Sequence, residues 1–318
     1  MRAITIREFG DPSGMVMGDL PAPVPAAGQV LVRAEAIGVG GVDAVIRRGT
    51  LGSGYRLGMV PGSELAGIVT AVGAGVDRAL IGRRVWAFTG TDGAYAEQAL
   101  AQAVDVIPLP ERLSSVDAVT LGSAAAVAHF ALLQAHTSGA DAVLVRGAAG
   151  SLGIATVELA VRLGARVAVT TSSAARGRRL QALGATDVLD RAGIGATNSP
   201  QEFDVIIDIV GGADVPAFID RLAPNGRMVL VGAVAGFPPA DFGMRLLRTF
   251  QQSRSISTFS LASVPPERRN AVRAELFEVA AQGDLHPVVH DVMPLDRAVE
   301  AHRQMDEGAV FGRVVLVP

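Results

Sequence analysis

The chain has 318 residues, 49% of them hydrophobic, and a formal net charge of −3, which suggests about two domains and gives no electrostatic footprint for nucleic acid. It contains no cysteine, which excludes disulfides, thiol catalysis and cysteine-based zinc sites. All 28 basic residues are arginine, which excludes Schiff-base chemistry and a lysine general acid.

The opening segment MRAITIREFG places Arg2, Arg7 and Glu8 around a short apolar run. It reads as a first strand rather than a signal peptide. No run of 18 apolar residues follows, so no transmembrane helix and no membrane partner are expected, and a cytoplasmic enzyme is the default. Strand-like runs recur at Ala3–Ile6, Val30–Ile37, Gly67–Val72, Arg84–Phe88 and Ala94–Leu100, separated by Gly- and Pro-rich turns such as 21–28 and 73–77. Residues 1–115 therefore read as a β module. Ser114, with Asp117 three residues on, caps an Ala-rich helix reaching Gln134. From Ala142 short apolar strands alternate with helices: strands at Ala142–Val145, Arg166–Thr170, Val188–Leu189, Val205–Ile209 and Met228–Val231, helices at Ile154–Leu163 and Ala174–Leu183. That alternation predicts a parallel sheet covered on both faces, an α/β doubly wound arrangement. Ser255–Ser260 is a candidate further strand. Glu267–Ala281 is amphipathic, with Val272, Leu276 and Val279 on one stripe, and Arg313–Val317 is a last strand.

The strongest local feature is the loop Gly147-Ala148-Ala149-Gly150-Ser151-Leu152-Gly153, with a strand before it, a helix after it and a second strand within 30 residues. Glycines let a backbone approach a pyrophosphate, and the helix N-terminus offers free N–H groups. The spacing is GxxGxxG rather than GxGxxG, so the strand–helix context carries the reading; a structural turn without a ligand is the alternative. NADH-selective sites place a carboxylate at the end of the second strand. Here that position reads Thr170-Thr171-Ser172-Ser173, followed by Arg176, Arg178 and Arg179. Hydroxyls and a guanidinium suit a 2′-phosphate, so NADPH is the expected cofactor, with Arg191 on the adenosine side. Arg178 and Arg179 fit a solvated helix face.

These segments resemble the zinc-free quinone oxidoreductase (zeta-crystallin-like) branch of the medium-chain dehydrogenase/reductase superfamily. The resemblance runs through residues 1–12, 30–49, 61–69, 93–99, 143–160, 183–190 and 225–232, essentially the full length. It implies a GroES-like β domain at 1–115, a Rossmann domain at 116–261, a return to the catalytic domain at 262–318, and a nicotinamide cleft between the domains. Zinc-dependent members carry a His-Glu pair where this chain has Ser63 and Glu64, and Glu64 is expected to be a buried hydrogen-bonding group. The five histidines show no metal spacing, so no metal is expected. By the same resemblance Ala149, Ser151, Leu152 and Gly153 contact the pyrophosphate. Thr171, Ser172, Arg176 and Arg191 meet the 2′-phosphate and adenosine side. Val210, Gly232, Ala233, Thr258, Phe259 and Ser260 line the nicotinamide half.

The pattern breaks at Gly40, where quinone oxidoreductases have Asn, and at Val45 and Leu51, where they often have Tyr. The substrate pocket is therefore expected to be more apolar or roomier. Asp43 either orients substrate or water, or holds its loop through backbone amides. Tyr55, in the Gly-rich loop 49–62, is either a proton donor or an exposed aromatic. His129 reads as a packing residue. The expected reaction is hydride delivery from NADPH to an apolar quinone or α,β-unsaturated carbonyl. A biosynthetic enoyl or ketone reductase and an NADPH-binding protein without turnover are the alternatives. Edge pairing through Ser255–Ser260 suggests a homodimer.

Overall fold

The computed structural model describes residues 1–50 and 54–318. Its chain passes through a first unit, Met1–Ser123 with Pro265–Pro318, and a second, Ala124–Val264.

In the first unit, β1 (Arg2–Ile6) pairs antiparallel with β2 (Met15–Asp19). β3 (Gln29–Val39) is the hub of the main sheet; its inward Val30, Val32, Ile37 and Val39 are buried. A short helix, α1 (Gly41–Arg47), leaves its end. β4 (Glu64–Val72), β5 (Arg84–Phe88), β6 (Gln98–Gln102) and β7 (Val106–Pro108) follow. Ser114 caps α2 (Ser115–Gln134) as expected: its Oγ accepts the Asp117 N–H at 3.0 Å and donates to the Asp117 carboxylate at 2.6 Å. The first of these bonds satisfies one of the helix-end amides that otherwise lack partners.

The second unit contains β8 (Ala142–Arg146), α3 (Ser151–Arg162), β9 (Arg166–Thr170), α4 (Ala174–Ala182), β10 (Asp187–Leu189), β11 (Phe203–Asp208), α5 (Val215–Ile219), β12 (Leu222–Leu230), α6 (Met244–Arg248) and β13 (Ser255–Thr258). Its six strands are parallel, in the order β10-β9-β8-β11-β12-β13. This is the doubly wound order, reversing between β8 and β11. Leu144, Ala168, Ile206, Phe203, Phe218 and Met228 pack one core.

The chain then returns with α7 (Pro266–Ala281), β14 (Val289–Pro294), α8 (Ala298–Asp306) and β15 (Arg313–Val317). The main sheet of the first unit runs β14-β15-β3-β4-β5-β7, with β6 also paired to β3. The α/β class with a β-rich domain and a doubly wound sheet is as the sequence predicts.

Several local expectations shift. The strand expected at Ala94–Leu100 forms later, at Gln98–Gln102, because Ala94 to Ala96 turn through bonds to Gly62, Pro61 and each other. On α7 the buried positions are Arg273, Leu276 and Phe277, whereas Val272 and Val279 are half-buried. An arginine occupies the stripe because its guanidinium lies 4.2 Å over the Trp86 ring and donates to the Gly122 carbonyl at 2.9 Å. By length and composition α2 is apolar enough to cross a membrane, but 67% of that stretch is buried, the mark of a core helix.

Candidate functional site

The glycine loop takes the form its residues dictate. Gly147 adopts φ +86°, the left-handed region that favours glycine, and turns the chain out of β8. Gly150 precedes α3 without any side-chain cap, and the side its Cβ would occupy is open. A Cβ on Gly153 would lie 2.5 Å from both Ala148 Cα and the Gly147 carbonyl, so only glycine lets α3 pack this close. The result is a 12-residue helix whose first amides are left for an anion, with the positive end of the helix dipole behind them. Ala149, Ser151 and Leu152 are half-buried on this turn, and Gly153 is buried. The Gly147 amide donates to Thr170 Oγ1 at 3.3 Å, linking the loop to β9.

At the end of β9, Thr171 is buried and its Oγ1 has no hydrogen-bond partner among the described residues. Ser173 caps α4, and half-buried Arg176 donates to Ser172 Oγ at 3.3 Å. Thr171, Ser172 and Arg176 thus form one polar group with no carboxylate, whereas Arg178 and Arg179 are exposed. Arg191 follows β10 and is exposed.

Val210 follows β11 and is half-buried; Gly232 and exposed Ala233 follow β12. Thr258 ends β13, followed by half-buried Phe259 and exposed Ser260. Phe259 stacks on Phe130 at 6.4 Å, and its amide bonds to the Leu230 carbonyl. All the expected cofactor residues of the second unit therefore stand at the carboxyl edge of one sheet. His129 packs edge-on against Phe130 at 5.1 Å.

In the first unit, the N–H of Gly40 donates to Asp43 Oδ2 at 2.8 Å, so Asp43 does hold its own loop. The same oxygen accepts from the Tyr95 hydroxyl at 3.3 Å, while Oδ1, also buried, has no partner among the described residues. Tyr95 Oη lies 3.0 Å from His302 Nε2, and Arg47 Nε donates to His302 Nδ1 at 3.4 Å. Both oxygens of Asp306 accept from Arg47 at 2.7 Å. Because Nδ1 accepts, the ring proton is on Nε2, and the chain donates in one direction from Arg47 through His302 and Tyr95 to Asp43. Neither His302 nor Arg47 carried a sequence signal: Arg47 follows Asp43 by four residues on α1, and His302 is brought to them by the packing of α8 near α1.

Tyr55 is half-buried in a groove of about 530 Å³ lined by Gly54, Tyr55, Arg56, Met59, Thr91 and Asp92. Asp43 does not line this groove. Arg56 and Asp92 give this groove two charged side chains. A Cβ at Gly40 would lie 3.3 Å from both Arg313 Nη2 and Asp43 Oδ2, so the missing side chain faces charged groups. Val45 is half-buried on α1, and Leu51 lies outside the described residues.

Burial pushes the His302 pKa down from 6.5 to about 3, reinforced by the Arg47 charge. Burial pushes Asp43 up from 3.8 to about 6, against the Gly40 amide, which favours the carboxylate. The two act oppositely on stability. His302 stays neutral when folded, so folding loses stability as pH falls from 6.5 towards 3. Asp43 favours the neutral form when folded, so stability is lost as pH rises from 3.8 through 6. The two therefore oppose each other in the mildly acidic range, and burial is the largest cause of both shifts. His302→Gln preserves one acceptor and one donor, and is expected to flatten the acid-side loss of stability. Urea unfolding at pH 4.5 and 7 measures this; an unchanged pH dependence would contradict it.

Glu64 is fully committed: its Oε2 accepts from Trp86 Nε1 at 2.8 Å and the Ser123 amide at 3.1 Å, and its Oε1 from Arg313 at 2.5 Å. Ser63 beside it is a hydroxyl, the chain has no cysteine, and no three potential ligands cluster among the described residues. These residues do not fit a catalytic zinc.

Two family models match the chain: the alcohol dehydrogenase GroES-like domain at residues 26–111 and a zinc-binding dehydrogenase domain at 183–316. Mouse quinone oxidoreductase is 31% identical over 328 residues, covering 100% of this chain and 98% of the relative. Among solved structures, a mycobacterial protein in complex with NADPH superposes with a TM-score of 0.91 at 30% identity, covering 100% of both chains. A Pseudomonas syringae quinone oxidoreductase superposes with 0.90 at 26% identity, covering 100% of this chain and 99% of that one.

Proposed function

Because the chain belongs to the zinc-free quinone oxidoreductase branch of the medium-chain dehydrogenase/reductase superfamily, we propose that it transfers a hydride from NADPH to a quinone or an α,β-unsaturated carbonyl without a metal. The observation that carries the cofactor choice is the end of β9, where a buried, unpartnered Thr171 hydroxyl, Ser172 and Arg176 stand in place of a carboxylate. The residues fit the dinucleotide. Ala149, Ser151, Leu152 and Gly153 would hold the pyrophosphate, Thr171, Ser172 and Arg176 the 2′-phosphate, and Arg191 the adenosine side. Val210, Gly232, Ala233, Thr258, Phe259 and Ser260 would line the nicotinamide half.

When bound, NADPH supplies the hydride. The protein's task is to align the acceptor and exclude water. Backbone amides, a hydroxyl or a water would stabilise oxyanion charge on the acceptor. Asp43 would orient the acceptor or a water, and the Tyr55 hydroxyl would give its proton to an enolate.

Stopped-flow NADPH oxidation in the presence of a chelator tests the reading. Oxidation dependent on both quinones and enones is expected. Consumption of enones alone would favour a biosynthetic enoyl reductase, and tight NADPH binding without oxidation by any acceptor would overturn the enzymatic reading.

We also read the enzyme as a cytoplasmic homodimer. β13 is an edge strand with mostly exposed residues, and Phe237 and Phe250 nearby in the chain are about four-fifths exposed; paired edges would cover such backbone. Light scattering should give twice the 32.7 kDa of one chain; a single-chain mass would contradict the dimer.

A further inference from the structure

β8 and β11 are the two strands on either side of the point where the sheet order reverses, and each ends on a buried charge. Arg146 and Asp208 stand directly opposite each other in the register. Arg146 Nη1 donates to Asp208 Oδ2 at 2.9 Å and to the Gly211 carbonyl at 2.8 Å. Its Nη2 reaches Asp214 at 3.4 Å, and the guanidinium lies 4.2 Å over the Phe218 ring. The other oxygen of Asp208 accepts the N–H groups of Val210 at 2.8 Å and Gly211 at 3.0 Å.

A buried ion pair is a poor source of net stability, because desolvation offsets the attraction. Burial indeed pushes the Asp208 carboxyl up despite the guanidinium beside it. What the pair does is fix a loop. Three backbone groups of residues 210 and 211 end on these two side chains. The loop then continues through Gly211 and Gly212 at φ +65° and +78°, and the Gly212 amide bonds to the Gly236 carbonyl at 2.8 Å. Gly147, the residue after Arg146, lies so close to Val210 that a Cβ on it would be 3.0 Å from Val210 Cγ2. One guanidinium–carboxylate contact therefore joins the strand that ends at the phosphate-binding turn to the strand that ends at the nicotinamide loop.

We infer that Arg146 and Asp208 are positioning residues that hold the 209–212 loop against the nicotinamide end of the cofactor site. The inference rests on the NADPH reading above. It separates the two ends of the dinucleotide: the pair controls one end and leaves the 2′-phosphate end untouched.

Titration calorimetry of NADPH and of 2′,5′-ADP, which lacks the nicotinamide riboside and the phosphate that joins it, tests it on wild type, Asp208→Asn, Arg146→Met, Arg146→Lys and the Arg146→Met/Asp208→Asn double variant. The single variants Asp208→Asn and Arg146→Met are expected to lose about tenfold or more in NADPH affinity, a coupling typical of contacting residues, and to keep 2′,5′-ADP within about twofold. The double variant should lose less than the product of the single losses, and Arg146→Lys, which keeps the charge, should recover part of the loss. The double variant carries no unpaired buried charge and serves as the folded reference should a single variant fail to fold. Equal losses for both ligands, or unchanged NADPH affinity in folded variants, would overturn the inference. Wild-type protein that bound neither ligand would overturn the cofactor reading and this inference with it.

Discussion

Arg176→Ala is expected to weaken NADPH by roughly 10- to 100-fold, the loss of a charge-assisted hydrogen bond worth about 1.5–3 kcal/mol, while NADH changes by less than about threefold. The asymmetry follows from position. Arg176 sits in the first turn of α4, beside Ser172 and next to the buried Thr171 hydroxyl. The residues that end β9, Thr170 to Ser173, include no carboxylate; Asp190, after β10 in register beside them, turns its Oδ1 to the amides of Ala192 and Ile194. Dissociation constants for both cofactors on wild type and variant measure this. Equal loss of NADPH and NADH would assign Arg176 to structure rather than to the phosphate.

The second large effect is at Glu64. Glu64→Ala removes the one carboxylate that satisfies the Arg313 guanidinium, the Trp86 indole N–H and the Ser123 amide, all in the buried interior. Breaking a buried pair by removing one partner costs about 3–5 kcal/mol, which at about 2–4 °C per kcal/mol lowers Tm by roughly 6–20 °C. The Glu64→Met/Arg313→Leu double variant, which leaves no unpaired charge but still strands the Trp86 N–H and the Ser123 amide, is expected to recover part of that loss. Thermal unfolding of the three proteins, with zinc analysis of the wild type, decides between a structural carboxylate and a ligand. An unchanged Tm together with stoichiometric zinc in the wild type would contradict the structural role.

The second unit was the more legible in sequence because its chemistry lies in the backbone. Strand–loop–helix order, three glycines and a strand end without a carboxylate are local features, and the structure gives each of them the local form expected. Gly153 sits where no Cβ fits and Gly150 where the way is open. The first unit was less legible because its polar centre is assembled from distant segments. Asp43, Tyr95 and His302 lie far apart in the chain yet form one hydrogen-bonded run. Arg47, Arg273 and Arg313 all look like surface charges in the sequence, but each is nearly fully buried. A guanidinium enters a core only where a carboxylate, a ring face or a carbonyl awaits it, and those partners are set by tertiary packing. The same holds for Arg146 and Asp208, which only the parallel register of β8 and β11 brings face to face. The α7 stripe was legible in part for this reason too: Leu276 is buried as expected, Val272 and Val279 are half-buried, and Arg273 joins the buried face because Trp86 offers it a ring face.

The central claim is metal-free hydride transfer from NADPH, and label transfer tests it most directly. Chelator-treated protein is given NADPH deuterated at the transferring position of nicotinamide C4, together with an enone, and the saturated product is examined by mass spectrometry. One deuterium per product molecule at the β-carbon is the predicted result; product formed without deuterium, or no product until a metal is restored, would contradict the account.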